Sequence, residues 1–214
     1  MYLSLTRFAL LVVVACSIAT ASSAQDDANG YGPDPDNPGN VTSNSLFPAG
    51  SPEALPPKTA TGLSAAVTNA VVTELKAATA FCGRIKKREY VIDCLAYEHA
   101  RIAAALPNTG EYAAVKKAVT QSATGLERVV RQNRSRTLPA GPIVQGGSKP
   151  RRTARALRPV ATEALPKAAA QATQIIQESQ TVLIRSTENS QERRRQFQRI
   201  VSAMDTGTIL LRSI

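Results

Sequence analysis

Among 214 residues there is one histidine, His99, so any Ser-His-Asp or Cys-His mechanism would have to use it as its base. Its neighbours Glu98 and Arg101 read as ordinary exposed helix positions. No nucleophile-elbow sequence is present, and Cys94, five residues before His99, does not share a helix face with it. The stretch Gly141 to Lys149 (GPIVQGGSK) has the glycines of a phosphate loop. However, Ser148 precedes Lys149 where the motif needs Gly-Lys followed by Ser or Thr, and no strand leads into it. Glu74, Glu98, Glu111, Glu127, Glu163 and Glu178 stand beside basic residues or on polar faces, so the expectation is solvated surface rather than a paired acid and base. The sequence therefore offers no catalytic residue, no metal set and no cofactor motif. Asn40-Val41-Thr42 and Asn133-Arg134-Ser135 match the glycosylation sequon, which matters only in a eukaryotic secretory pathway.

Two cysteines remain once Cys16 is set aside with the leader. Cys82 and Cys94 have no His or Cys partners nearby to complete a metal site, and a disulfide between them is the simpler expectation in an oxidising compartment.

The basic residues are the other group with something to bind. Arg128, Arg131, Arg134, Arg136, Lys149, Arg151, Arg152, Arg155 and Arg158 follow one another without an intervening acid. They read as an anion-binding patch on a flexible loop, set against the plainer reading of a solvated connector. No aromatic residue lies among them, which argues against single-stranded nucleic acid, where bases stack on rings. Arg193-Arg194-Arg195 is a second knot, read as a solvated helix face.

The chain's first residues say where these groups would work. Arg7, the apolar run Phe8 to Ala15, and the small residues Ala19 to Ala24 have the order of a secretory signal ending near Ala24. Val13-Val14-Ala15-Cys16 also has the order of a lipoprotein box, a second reading that leaves Cys16 as a lipidated terminus. The expected address is export, periplasmic or secreted, with a lipid-anchored lipoprotein as the lesser reading. No later segment approaches the roughly 20 apolar residues a spanning helix needs, so no transmembrane helix is expected in the mature chain. Residues 25–57 carry five acids and no Lys or Arg among Pro, Gly, Asn and Ser, which predicts a disordered acidic arm. From Lys58 onward there are 25 Lys and Arg against 11 Asp and Glu, so a basic body follows an acidic arm. That polarity suits self-association as a homo-oligomer, or an anionic partner.

Residues 58–214 form the length of one domain, and its composition and spacing predict an all-α fold. The first helix is expected from about Leu63 to Cys82, with Leu63, Val67, Val71, Leu75, Ala78 and Cys82 on one face and Gly83 as C-cap. A second runs from about Glu89 to Leu106 and is stopped by Pro107. The third begins with capping-box spacing at Asn108 and Glu111. It carries Tyr112, Val115, Val119, Ser122, Leu126 and Val129 at coiled-coil steps, with Gly125 weakening it, and ends near Asn133. Residues 134–158 are too rich in Pro and Gly to hold regular structure. Pro166 suits the first turn of a fourth helix, whose stripe is Leu165, Ala169, Ala172, Ile176, Ser179 and Leu183. Asn189 and Glu192 have capping spacing that would break off a fifth helix bearing Phe197, Ile200, Val201, Met204, Thr208 and Leu211; otherwise one long helix passes through. The expected architecture is an antiparallel bundle of four helices, or five if the chain breaks near Ser186 to Asn189.

The run Cys82-Gly83 to Tyr90-Val91-Ile92-Asp93-Cys94-Leu95-Ala96-Tyr97-Glu98, together with Ile209-Leu210-Leu211-Arg212-Ser213, resembles uncharacterised exported proteins of alphaproteobacteria. The resemblance implies a bacterial envelope address and a mostly helical fold, and it implies no activity. The leading expectation is a non-enzymatic exported bundle of the bacterial envelope, working through a protein partner or an anionic envelope surface. The alternative is a hydrolase-like envelope enzyme whose site forms only in the fold.

Overall fold

Helices account for nearly all the regular structure. The computed structural model describes residues 62–146 and 150–214. The expected leader, Cys16, the acidic arm and Lys149 lie outside the described residues. Within them are α1 (Ala65–Gly83), α2 (Val91–Ala105), α3 (Ala113–Gln132), α4 (Leu165–Arg185) and α5 (Gln191–Arg212), with a short antiparallel pair, β1 (Val144–Gln145) and β2 (Arg151–Arg152), between α3 and α4.

Each expected apolar stripe is buried. Val67, Val71, Leu75, Ala78 and Cys82 face inward from α1, and Val115, Val119, Ser122, Leu126 and Val129 from α3. From α4 come Leu165, Ala169, Ala172, Ile176, Ser179 and Leu183. From α5, Phe197, Ile200, Met204, Thr208 and Leu211 are buried while Val201 is half-buried. Helix α2 is covered more fully, with the whole run Val91 to Ala96 buried. Successive helices run antiparallel, and α1 closes on α5. That last pair is parallel: Asn69 meets Arg199, Thr79 meets Thr206, and Gly83 meets Leu210. An odd number of up-and-down helices in a closed ring forces one such pair.

The helix ends depart from the sequence expectations, and tertiary contacts explain why. Ser64 precedes α1 without capping it through its side chain. Instead the Tyr112 phenol donates to Ser64 O (2.6 Å), receives the Ser64 N–H (3.1 Å) and lies 2.9 Å from Thr68 Oγ1. Gly83 is not a left-handed cap. It sits in the last turn of α1, and Arg84 behind it is right-handed with φ −83°. Asn108 and Glu111 form no capping box: the chain turns through Gly110 at φ 74°, Tyr112 occupies the N-cap position, and Glu111 turns to α5. There Arg193 Nε and Nη2 donate to its two oxygens at 2.6 and 3.0 Å.

The chain does break before α5, so five helices form. The hydroxyls of Ser186 and Thr187 donate to Leu183 O and Ile184 O, each at 2.6 Å, and close off α4. Ser190, one residue beyond the expected cap, accepts the Arg193 N–H at 3.2 Å. At Gly125 α3 lies close against α4, since a Cβ there would lie 2.5 Å from Ile175 Cγ2. Close approach, not helix weakness, is the local use of that glycine.

Cys82 and Cys94 lie at bonding distance, with S–S 1.99 Å and Cα–Cα 5.7 Å, and staple α1 to α2 at their shared turn. No helix among the described residues is long and apolar enough to cross a membrane.

Candidate anion-binding face

The turn between α1 and α2, the end of α3, the start of α4 and the end of α5 all lie at one end of the ring. The connection from 133 to 161 is folded over it. That connection is not the irregular loop its composition suggests. Its two halves run antiparallel: Ser135 N–H bonds Pro159 O (2.9 Å), Gly141 and Leu157 exchange bonds of 3.1 and 2.8 Å, and Thr153 N–H bonds Ile143 O (3.0 Å). Beyond these, Val144 pairs with Arg152 and Gln145 with Arg151. Leu157 and Val160 are fully buried, so the return half of this hairpin joins the core.

Acids of α2 fasten it down. Asp93 is wholly buried and receives Arg155 on both oxygens, at 2.6 and 3.1 Å. Arg158 adds its backbone N–H (2.7 Å) and its Nη2 (2.9 Å) to the same carboxylate, and that Nη2 also reaches Glu127 at 2.9 Å. Burial by itself would raise the Asp93 pKa. The hydrogen bonds from Arg155 and Arg158 outweigh that and hold it below the usual carboxylate range. One turn on, Glu98 accepts from Arg101 (3.0 Å) and from Arg151, and Arg101 reaches Glu74 at 2.6 Å. Arg151 lies over the Phe81 ring at 4.6 Å and Arg155 over Tyr97 at 5.6 Å, while Tyr97 Oη accepts the Ala154 N–H.

Three of the nine expected anion-binding residues, Arg151, Arg155 and Arg158, thus already hold internal anions. The reading of Glu74 and Glu98 as solvated surface is corrected with them, and so is that of Arg101 as an exposed position. Both carboxylates are buried and their charge is answered by arginine. Asp93, the centre of the arrangement, carried no signal of its own. One acid in a run of apolar residues, set against an acid-free stretch of arginines, was the available clue.

Arg128, Arg131, Arg134, Arg136 and Arg152 are exposed and have no ion-pair partner among the described residues. Residues outside the expected patch join them at the same end: Arg84, Lys86, Lys87 and Arg88, all exposed, from the α1–α2 turn. Their signal in the sequence is four basic residues in five positions, Arg84 to Arg88. Between that turn and the hairpin runs a groove of about 580 Å³, floored by Ile85, Tyr90, Pro139, Pro142 and Ile143 and edged by Arg84, Lys86 and Lys87.

His99 is elsewhere, between α2 and α3, 1% exposed, with Nδ1 2.8 Å from Ser122 Oγ. Burial lowers its pKa to about 4. Its ring is a neutral core group bonded at Nδ1 and does not line the groove.

The chain matches no family model, no curated protein and no solved structure.

In the second basic knot, Arg193 is taken up by Glu111, and Arg195 lies 3.1 Å from Glu192 on the surface. The knot belongs to the opposite end of the ring and is partly neutralised there.

Proposed function

We propose that this is a non-enzymatic exported protein of the bacterial envelope that attaches to an anionic surface through the basic end of its helical ring. The observation that carries the reading is the charge at that end. Exposed Arg and Lys from the α1–α2 turn, the last turns of α3 and the hairpin stand together, and the buried acids beneath them are already matched by Arg151, Arg155 and Arg158. These exposed cations form no ion pair among the described residues. Each Lys or Arg near an anionic bilayer contributes about 1 kcal/mol, so a handful acting together gives firm, salt-sensitive attachment.

The leader-like first 24 residues and the cysteine pair at bonding distance support the exported address. The resemblance to exported alphaproteobacterial proteins agrees with it.

Co-sedimentation with phosphatidylglycerol vesicles, and binding to polyphosphate, tests the proposal. Both should be strong at low salt and fade as the Debye length shrinks to about 8 Å at physiological ionic strength. Reversing Arg134 and Arg136 to Glu should weaken both, whereas Arg194→Glu with Arg195→Glu, at the opposite end, should weaken them much less. Absence of binding at low salt, or equal sensitivity at the two ends, would refute the assignment.

A further inference from the structure

The groove beside the α1–α2 turn differs from the rest of the basic end. Here Arg84, Lys86 and Lys87 edge an apolar floor of Ile85, Tyr90, Pro139 and Ile143. Val144, at the rim, is 62% exposed, one of the two large apolar side chains so open among the described residues.

The groove's polar groups are largely spent. Tyr90 Oη donates to Pro139 O at 2.7 Å, and Arg84 Nε donates to Gln145 Oε1 at 2.9 Å. Gln145 Nε2 in turn donates to Phe81 O at 2.6 Å. Along the hairpin edge Pro139 and Pro142 have no N–H to offer, the Gly141 N–H is bonded to Leu157 O, and the Ile143 N–H is bonded to Thr153 Oγ1. A peptide strand laid in this groove would find few backbone donors to pair with. What remains is positive charge at the edge and hydrocarbon below it, the complement of an anionic amphiphile.

Resting on the anionic-surface reading, we propose that the groove is the docking point for a single anionic phospholipid of the bilayer. The headgroup phosphate would sit between Arg84, Lys86 and Lys87, with the upper acyl chain along Ile85 and Ile143. Val144 would enter the interface beside it. The long stems of Lys86 and Lys87 can lie along apolar surface while their charges reach the phosphate. The chain would then do more than hover over a charged surface: one side chain would be in the membrane.

The chain has no tryptophan, so Val144→Trp makes a single tryptophan reporter at the rim without touching the core. Its emission should shift to the blue with phosphatidylglycerol vesicles and stay unmoved with phosphatidylcholine vesicles, polyphosphate or polyglutamate. Lys86→Glu with Lys87→Glu should abolish the shift and weaken vesicle binding at least about 25-fold, at about fivefold for each of the two lysines removed. The charge-matched pair Arg134→Glu with Arg136→Glu should weaken binding but leave a blue shift at saturating lipid. Vesicle binding with Trp emission unchanged would overturn the lipid site while leaving the anionic-surface reading intact. An equal shift with phosphatidylcholine would overturn it by removing the role of charge, and a shift with polyglutamate would give the groove to an acidic peptide instead. Failure to bind either vesicles or polyphosphate at low salt would remove the surface reading and the lipid site together.

Discussion

Arg155 and Asp93, 62 residues apart in the chain, meet through paired bonds of 2.6 and 3.1 Å. The aspartate is wholly buried while the arginine is still a third exposed, so the pair sits at the boundary between core and hairpin. Removing the acid would leave the Arg158 N–H without its acceptor, while solvent already reaches the Arg155 and Arg158 guanidinium groups. A buried donor left unpaired costs about 1–3 kcal/mol. Asp93→Ala should lower stability by about that much in urea unfolding and speed hydrogen exchange at the Thr153 and Leu157 amides. Arg155→Ala should cost less, because solvent reaches its guanidinium and Arg158 still serves Asp93.

Acid should weaken the fold in two steps. His99 has a folded pKa of about 4, below the ordinary 6.5, so the unfolded chain takes up the proton first as pH falls. Between pH 6.5 and 4 the unfolded state binds more protons, and stability falls with pH by on the order of 3 kcal/mol. Asp93 also has a lowered pKa. Its contribution is complete above the unfolded value near 3.8 and is lost as pH drops through the folded value. His99→Gln should flatten the upper part of the profile and leave the lower part. A profile of unfolding free energy against pH for the two chains would show whether it does.

Gly125 and Ile175 set the spacing of α3 and α4. A methyl at Gly125 would lie 2.5 Å from Ile175 Cγ2, an atom on a stiff β-branched side chain. Gly125→Ala raises helix propensity by about 1 kcal/mol, yet overpacking of this kind costs about 1–3 kcal/mol, so the net change should be destabilising. Ile175→Ala should relieve the clash. A double-mutant cycle in which Gly125→Ala becomes stabilising once Ile175 is Ala would confirm the contact; additive effects would deny it.

Reduction of Cys82–Cys94 opens a short loop whose closure contributes about 3 kcal/mol when the bridge is unstrained. The intact protein should be two protons lighter than its reduced form by mass. Its denaturant midpoint should fall on reduction, with the slope showing any change in the unfolded ensemble. Free thiols at both positions in oxidised protein would end the assignment.

The interior of the helices was open to sequence reading because it depends on spacing: Val115, Val119, Ser122, Leu126 and Val129 could be put on one face from intervals alone. Their ends were less legible. The residue before α1, Ser64, is held by Tyr112, and a phenol 48 residues away leaves no local trace. The connection after α3 is more ordered than its composition suggests for a related reason. Proline and glycine do interrupt helices there, but what orders it is Asp93 and Glu98, which look like ordinary helix polars until Arg151, Arg155 and Arg158 are placed over them. The basic turn Arg84 to Arg88 was visible as charge, yet only folding sets it opposite the hairpin and makes a groove.

The parallel closure of α1 against α5 governs when the molecule can finish folding. Thr79 waits for Thr206, and Asn69 for Arg199, partners 127 and 130 residues later. A nascent chain can pair α2 with α3 early, because those contacts are local. Its first helix must hold an apolar flank in reserve until α5 appears. The oldest helix is therefore the last to be sealed, and a chain stopped before residue 191 would leave the flank of α1 that faces α5 open to aggregation or to whatever escort accompanies it.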